Sequence, residues 1–175
     1  MSKKIKTISA EYSNNVNESI AAEPETAVSY QKNRQPGSLV ILADAAKKPE
    51  NRLTAFEKMD IVRDGVSKRD LELLKDKAEL DYTMLAKALS VTRATLINKK
   101  RDEKFGLVLS EKIVGLADLY SYGFEVFEDE DRFNQWMARP NQALGGQVPY
   151  DLIDNQYGRE EVKNIIGRID YGIYS

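Results

Sequence analysis

The chain has 175 residues, 42% of them hydrophobic and 31% charged, which is room for one domain or for a small domain with an appended module. It contains no Cys and no His, so disulfides, thiolate nucleophiles, cysteine zinc sites, imidazole bases and Ser-His triads are all excluded, and any enzyme would have to work with carboxylates, lysine, tyrosine or bound metal. The formal charge of −2 is unevenly divided: residues 125–175 carry 10 acidic and 5 basic groups, a local −5, whereas Thr92 to Lys104 hold five cations against Asp102 and Glu103.

No run approaches the roughly 20 apolar residues that cross a bilayer. The opening MSKKIKTISAEYSNN lacks the apolar segment of a secretion signal, so the expectation is an intracellular, cytoplasmic protein with no membrane contact.

Residues 1–50 read as a polar, aperiodic segment, flexible unless a partner orders it. Within it Pro36-Gly37 reads as a turn, and the following SLVILADAA permits a short helix capped by Ser38 or a strand; its Ala and Leu content favours the helix. Thr54 with Glu57 forms a capping-box pattern ahead of Phe56, Met59 and Val62 on one helical side, and Asp64-Gly65 is the stop. Ser67 with Asp70 starts a second helix with Leu71, Leu74 and Ala78 inward and Leu80 closing it. Its charges, Lys68 among them, read as a solvated face.

From Asp81 to Lys104 the sequence DYTMLAKALSVTRATLINKKRDEK reads as two short helices joined by a tight turn. Tyr82, Leu85, Ala86 and Leu89 make one apolar stripe behind an Asp81 cap. After Ser90-Val91, Thr92 caps a second helix with Leu96 and Ile97 inward and a basic outer face. This pattern resembles a DNA-binding helix-turn-helix, although an amphipathic hairpin with solvated lysines has the same period. Asn pairs bidentately with adenine and Arg with guanine, so Arg93 and Asn98 are assigned to bases. Thr92, Thr95, Lys99, Lys100 and Arg101 are assigned to the phosphate backbone. Ser90 stands at the turn position where Gly is usual. So small a basic face predicts binding as a dimer or higher oligomer.

Beyond the Phe105-Gly106 break, Ser110 is expected to open a long helix with Ile113, Leu116, Ala117, Tyr120, Phe124 and Phe127 on one stripe, core and also a possible oligomer seam. Glu128-Asp129-Glu130-Asp131 starts the next helix, where carboxylates suit the positive end. A metal site is disfavoured because adjacent helical residues point apart and no EF-hand spacing is present. Phe133, Trp136 and Met137 form that helix's inner face, and Arg139-Pro140 ends it. Gly145-Gly146 reads as a turn, because no strand precedes it and no Gly-Lys-Ser follows. Pro149 opens the short helix PYDLID, and the last helix carries Val162, Ile165, Ile166 and Ile169 on one face. The expected fold is all-α.

A helix-turn-helix followed by SEKIVGLADLYSYGFEVF, WMARPNQALGGQVPYDLI and GREEVKNIIGRIDYGIYS is similar to the Xre/MbcA/ParS antitoxins of RES-type toxin–antitoxin pairs, over about Leu53 to Ser175. Trp136, Pro140-Asn141, Leu144-Gly145-Gly146, Pro149, Asp151-Leu152, Gly158, Val162 and Arg168 through Tyr174 carry the specific part; Ser90 and Asn155, the latter where the family tends to have Thr, depart from it.

The resemblance implies a non-enzymatic protein without cofactor or metal. It implies a helix-turn-helix domain over 51–109 and a dimerisation and toxin-binding domain over 110–175. The protein would neutralise a cognate NAD-consuming RES-domain toxin and repress its own operon at operator DNA. Its C-terminal segment, Arg168, Asp170, Tyr171, Gly172, Ile173, Tyr174 and Ser175, would cover the toxin's active site. Tyr120, Phe124, Phe127 and Trp136 are the candidate seam of a homodimer within a larger toxin complex. A stand-alone regulator would share the DNA-binding half but give no reason for the Trp136-to-Tyr174 motif. A carboxylate-dependent hydrolase finds no pair of acids placed for it.

Overall fold

The computed structural model describes residues 40–172; the N-terminal segment to residue 39, with the Pro36-Gly37 turn and Ser38, and Ile173, Tyr174 and Ser175 lie outside the described residues. Among the described residues there are eight α-helices and no strand, the all-α class expected. The first is α1 (Ala55–Asp64), opened by the reciprocal capping box. Thr54 N–H donates to Glu57 Oε2 at 2.7 Å and Glu57 N–H to Thr54 Oγ1 at 3.3 Å. The Thr54 N–H, then Lys48 and the Thr54 hydroxyl, hold the Glu57 carboxyl down at about 2. Gly65, at φ 87°, ends the helix as anticipated. Ser67 caps α2 (Lys68–Lys77) by accepting from Asp70 N–H.

Next come α3 (Tyr82–Ala88), α4 (Arg93–Ile97) and α5 (Leu107–Phe127), the spine of the molecule. Helix α1 runs antiparallel to α5: Arg52 just before it bonds Glu125 at 2.6 Å, Lys58 meets Asp118 at 2.6 Å, and Phe105 N–H reaches Val66 O beyond its end. After α6 (Glu130–Met137), a 3-10 turn at Gln142–Leu144 and α7 (Pro149–Leu152), α8 (Gln156–Asp170) runs parallel to α5, with Lys163 on Asp118 and Asp170 near Tyr122. Asp118, only 14% exposed in its side chain, therefore joins three helices through two ammonium partners.

Glycine permits two of the closest approaches. A β-carbon on Gly123 would lie 2.2 Å from the Phe133 ring, so the bare helix face is where α6 sets its aromatic down. One on Gly158 would lie 1.7 Å from the Leu152 carbonyl oxygen, which fixes glycine where α7 hands over to α8. Tyr120, Phe124 and Phe133 are fully buried and meet edge-to-face at centroid distances of 5.5 to 5.8 Å.

Several expectations are corrected. The run at 40–46 is no helix but an irregular strap. Ile41 and Leu42 are buried there, and their N–H groups go to the side-chain Oε1 of Glu50, at 2.9 and 2.7 Å, rather than to the carbonyls of a helical turn. Asp70 Oδ1 accepts Asp44 N–H from the same strap. Both carboxyls are fully buried, which raises their affinity for protons, and each keeps one oxygen without a partner. Ser110 does not open α5, which begins at Leu107. It is buried, accepting from Val66 N–H and donating to Phe105 O. Phe56 and Met59 face solvent, because α1 turns its Ile61 and Val62 side to the core. Ile97 is likewise 44% exposed, since α4 is too short to turn both apolar residues inward.

Candidate functional site

The α3–α4 unit is built by its caps. Asp81 accepts Met84 N–H at 2.7 Å, which lowers its carboxyl, and Thr92 accepts Thr95 N–H at 3.2 Å. Between them Ser90 takes φ 52°, the left-handed conformation that favours glycine. Its hydroxyl donates to Asp154 O at 2.6 Å, a contact glycine could not make, so this departure from the usual turn residue ties the turn to the tail.

Helix α4 covers only five residues, so Asn98 is its C-cap and Lys99, Lys100 and Arg101 lie in the turn that follows. Thr92, Arg93, Thr95, Asn98, Lys100 and Arg101 are exposed; Lys99 is half-buried with its ammonium 5.8 Å from the Phe105 ring centroid. Thr92, Thr95, Asn98 and Lys99 converge on one shallow groove of about 450 Å³, and Arg93, Lys100 and Arg101 do not line it. Glu103 does line it, and its carboxylate accepts Lys100 N–H.

The support beneath this surface was not legible in the sequence. Lys68, expected in solvent, is buried: its ammonium donates to Leu96 O at 2.8 Å and Tyr82 OH at 2.6 Å, and lies 4.3 Å from the Tyr82 ring centroid. It closes the carbonyl end of α4, where a cation is favoured. The first amides of α2 hold the turn after α4, Lys68 N–H on Glu103 O and Arg69 N–H on Arg101 O. A lone Lys in a charged run carries no signal of this role.

The tail meets this unit through polar contacts. Tyr150 OH donates to Met84 O at 2.6 Å, Lys87 pairs with Asp151 at 2.7 Å, and Lys112 donates to Leu89 O at 3.0 Å. Burial pushes the Tyr150 hydroxyl up to about 12, so it remains a donor through the neutral range.

Of the residues assigned to a dimer seam, Tyr120 and Phe124 are closed inside the chain and offer no surface to a second copy. Phe127 and Trp136 are half-buried at the rim, their rings 5.4 Å apart. At the end of α8, Arg168, Asp170 and Tyr171 are exposed, Tyr122 OH donates to Asp170 at 3.3 Å, and Gly172 turns at φ 67°. Ile173, Tyr174 and Ser175 of the same group fall outside the described residues. The acidic run has local partners: Asp129 caps α6 by accepting Arg132 N–H, and Glu130 meets Lys77.

Residues 123–172 match the family described as Antitoxin Xre/MbcA/ParS C-terminal toxin-binding domain. The chain is 27% identical over 135 residues to the "Prs ADP-ribosylating antitoxin" of Sphingobium sp. (strain YBL2), covering 71% of this chain and 84% of that protein. It is 36% identical over 73 residues to "Antitoxin Xre" of Photorhabdus laumondii subsp. laumondii, covering 41% and 49%. To "Antitoxin Xre" of Yersinia enterocolitica it is 24% identical over 129 residues, covering 73% and 86%.

Proposed function

We propose that this chain is an antitoxin of the Xre/MbcA/ParS type, which neutralises a cognate NAD-consuming RES-domain toxin and represses its own operon through α3–α4. The observation that carries the reading is the match of residues 123–172 to a toxin-binding domain whose last helix delivers exposed Arg168, Asp170 and Tyr171 to the chain's end. The Sphingobium relative has ADP-ribosylation in its name, and ADP-ribosyl transfer draws on NAD, which supports an NAD-consuming partner.

An enzyme that admits an anionic dinucleotide needs a cationic entrance, and a tail of net −5 ending in tyrosines is complementary to one. The C-terminal segment from Arg168 to Ser175 acts as the plug, by binding alone and without chemistry of its own. On the other half, the groove of Thr92, Thr95, Asn98 and Lys99 takes operator DNA, with Arg93 and Asn98 at base edges and Lys100 and Arg101 on phosphates. Duplication into a dimer compensates for so small a basic face.

The test starts from the neighbouring gene, whose product is expected to be a RES-domain protein, and measures that product's NAD consumption with and without the purified antitoxin. Stoichiometric inhibition that disappears on removal of Tyr174-Ser175 supports the plug. Undiminished NAD consumption in the presence of excess full-length chain overturns the reading.

A further inference from the structure

One concave surface of the tail is not used by the plug or by the DNA-binding face. An open pocket of about 480 Å³ lies along the outer side of α6, lined by Phe127, Arg132, Gln135, Trp136, Arg139 and Asn141. The size is that of pockets that hold a few side chains or a small ligand. Its floor is aromatic and rigid: the indole of Trp136 stacks on the fully buried Phe133 at 5.9 Å and abuts Phe127 at 5.4 Å. Its walls are donors. Arg132 and Arg139 are exposed, and neither guanidinium has an ion-pair partner among the described residues, although the domain around them is strongly acidic. The indole N–H, also without a hydrogen bond there, is a donor only.

A site of two guanidinium forks and an indole over an aromatic floor selects a planar, acceptor-rich group, and carboxylate is the group that guanidinium matches bidentately. The surroundings decide between a carboxylate and a polyanion. Glu128, Asp129 and Asp131 are exposed at the start of α6, within one turn of Arg132, and the whole of 125–175 is net −5. A nucleic-acid backbone, with a charge every few ångströms, would meet those carboxylates wherever it met the arginines. A protein segment with one or two acidic side chains does not. The pocket also lies inside the stretch matched to a toxin-binding domain.

We propose that the Arg132–Trp136–Arg139 pocket is a second anchoring point for the toxin, taking an acidic segment of the toxin's surface away from its active-site mouth. The proposal rests on the antitoxin reading above and adds the chemistry of one contact. It makes the interface bipolar: an acidic C-terminal segment on a cationic entrance, and a cationic pocket on an acidic segment. Such pairing fixes orientation as well as attraction.

The experiment uses the full chain and the purified toxin identified by the NAD-consumption test above, with affinity measured by titration at low and high salt. The double variant Arg132→Glu/Arg139→Glu is compared with wild type and with Arg132→Lys/Arg139→Lys. Expected are a loss of about tenfold or more for the glutamate variant, a shallower salt dependence, and partial recovery with lysine, which keeps charge but not the planar fork. Operator binding and the urea midpoint stay at wild-type values, which separates a contact from a folding defect. Equal toxin affinity of wild type and glutamate variant overturns the proposal while leaving the antitoxin reading intact. A variant that instead changes the mass of the free antitoxin assigns the pocket to a second copy, and one that loses only operator affinity assigns it to nucleic acid; either result overturns it. If the wild-type chain binds no toxin, the antitoxin reading falls first.

Discussion

In α3–α4 the residues that set the region apart, Arg93, Thr95, Asn98, Lys100 and Arg101, stand in solvent on a five-residue helix and the turn after it. In the tail, Tyr120, Phe124 and Phe133 close on one another, while Phe127 and Trp136 are half-buried at the rim and the end of α8 is exposed. One region thus keeps its specific chemistry outside and is braced from beneath by a buried ammonium and the first amides of α2. The other uses its most distinctive residues to be a rigid body and leaves binding to its edges. Loss of a tail aromatic should therefore damage everything, and loss of an α4 side chain only DNA contact.

The largest expected effect comes from Phe133→Ala. Removing a ring that packs on Tyr120, Phe124 and bare Gly123 should cost about 3–5 kcal/mol, read as a lower urea midpoint, and abolish toxin binding. A loss below about 1 kcal/mol would mean that the tail core is far looser than its contacts indicate. Lys68→Ala comes next. It leaves Leu96 O and Tyr82 OH without their donor, at about 1–3 kcal/mol, and should weaken operator binding across all sequences while sparing toxin inhibition. A change confined to one operator base pair would contradict a positioning role.

How much of this contrast was visible beforehand depends on whether a residue's role is set locally. The Thr54–Glu57 box, the Ser67, Asp81 and Thr92 caps and the Gly65 stop follow from residues within one turn, and the structure has each of them. The strap at 40–46 is not legible from its Ala and Leu content, because the carboxylates of Glu50, just beyond it, and of Asp70, 26 residues from Asp44, decide its course. Lys68 looked like any exposed cation for the same reason: its partner carbonyl lies 28 residues away. The period of α1 puts Phe56, Met59 and Val62 on one side but does not say how much of that side packs: Val62 meets the core, and Phe56 and Met59 stand in solvent. Arg132 and Arg139, without an ion-pair partner among the described residues, carry no signal in a sequence with so many acids.

Ser90→Gly sharpens the comparison at the joint between the two regions. Relief of a left-handed serine, roughly 1–2 kcal/mol, opposes loss of the bond to Asp154 O, about 0.5–1.5 kcal/mol, so thermal stability should barely move. Faster amide hydrogen exchange at Val91 and Thr92 is the expected sign that the turn has come free of the tail; unchanged exchange would deny that the contact matters.

The smallest effect is a pH dependence. Burial raises the Glu50 and Asp70 carboxyls, so the stability they contribute is present below the ordinary carboxylate range and is lost as pH rises through their raised values. Glu57, lowered to about 2, acts oppositely: its contribution is present above the ordinary range and is lost as pH falls toward that value. Glu50→Gln keeps an acceptor for Ile41 and Leu42 without the buried charge, so its urea midpoint should gain on wild type as pH rises to neutrality. A difference independent of pH would show that Glu50 is not the buried acid described.

The central claim is that the tail disarms the toxin independently of the DNA-binding face. Its most direct test is a titration of the toxin's NAD consumption with wild type, Asp170→Lys and Arg93→Ala/Asn98→Ala. The expected result is full inhibition by the α4 double variant, which no longer binds operator, and weakened inhibition by Asp170→Lys, which still does. Inhibition by Asp170→Lys equal to wild type, or its loss in the α4 variant, would contradict the account.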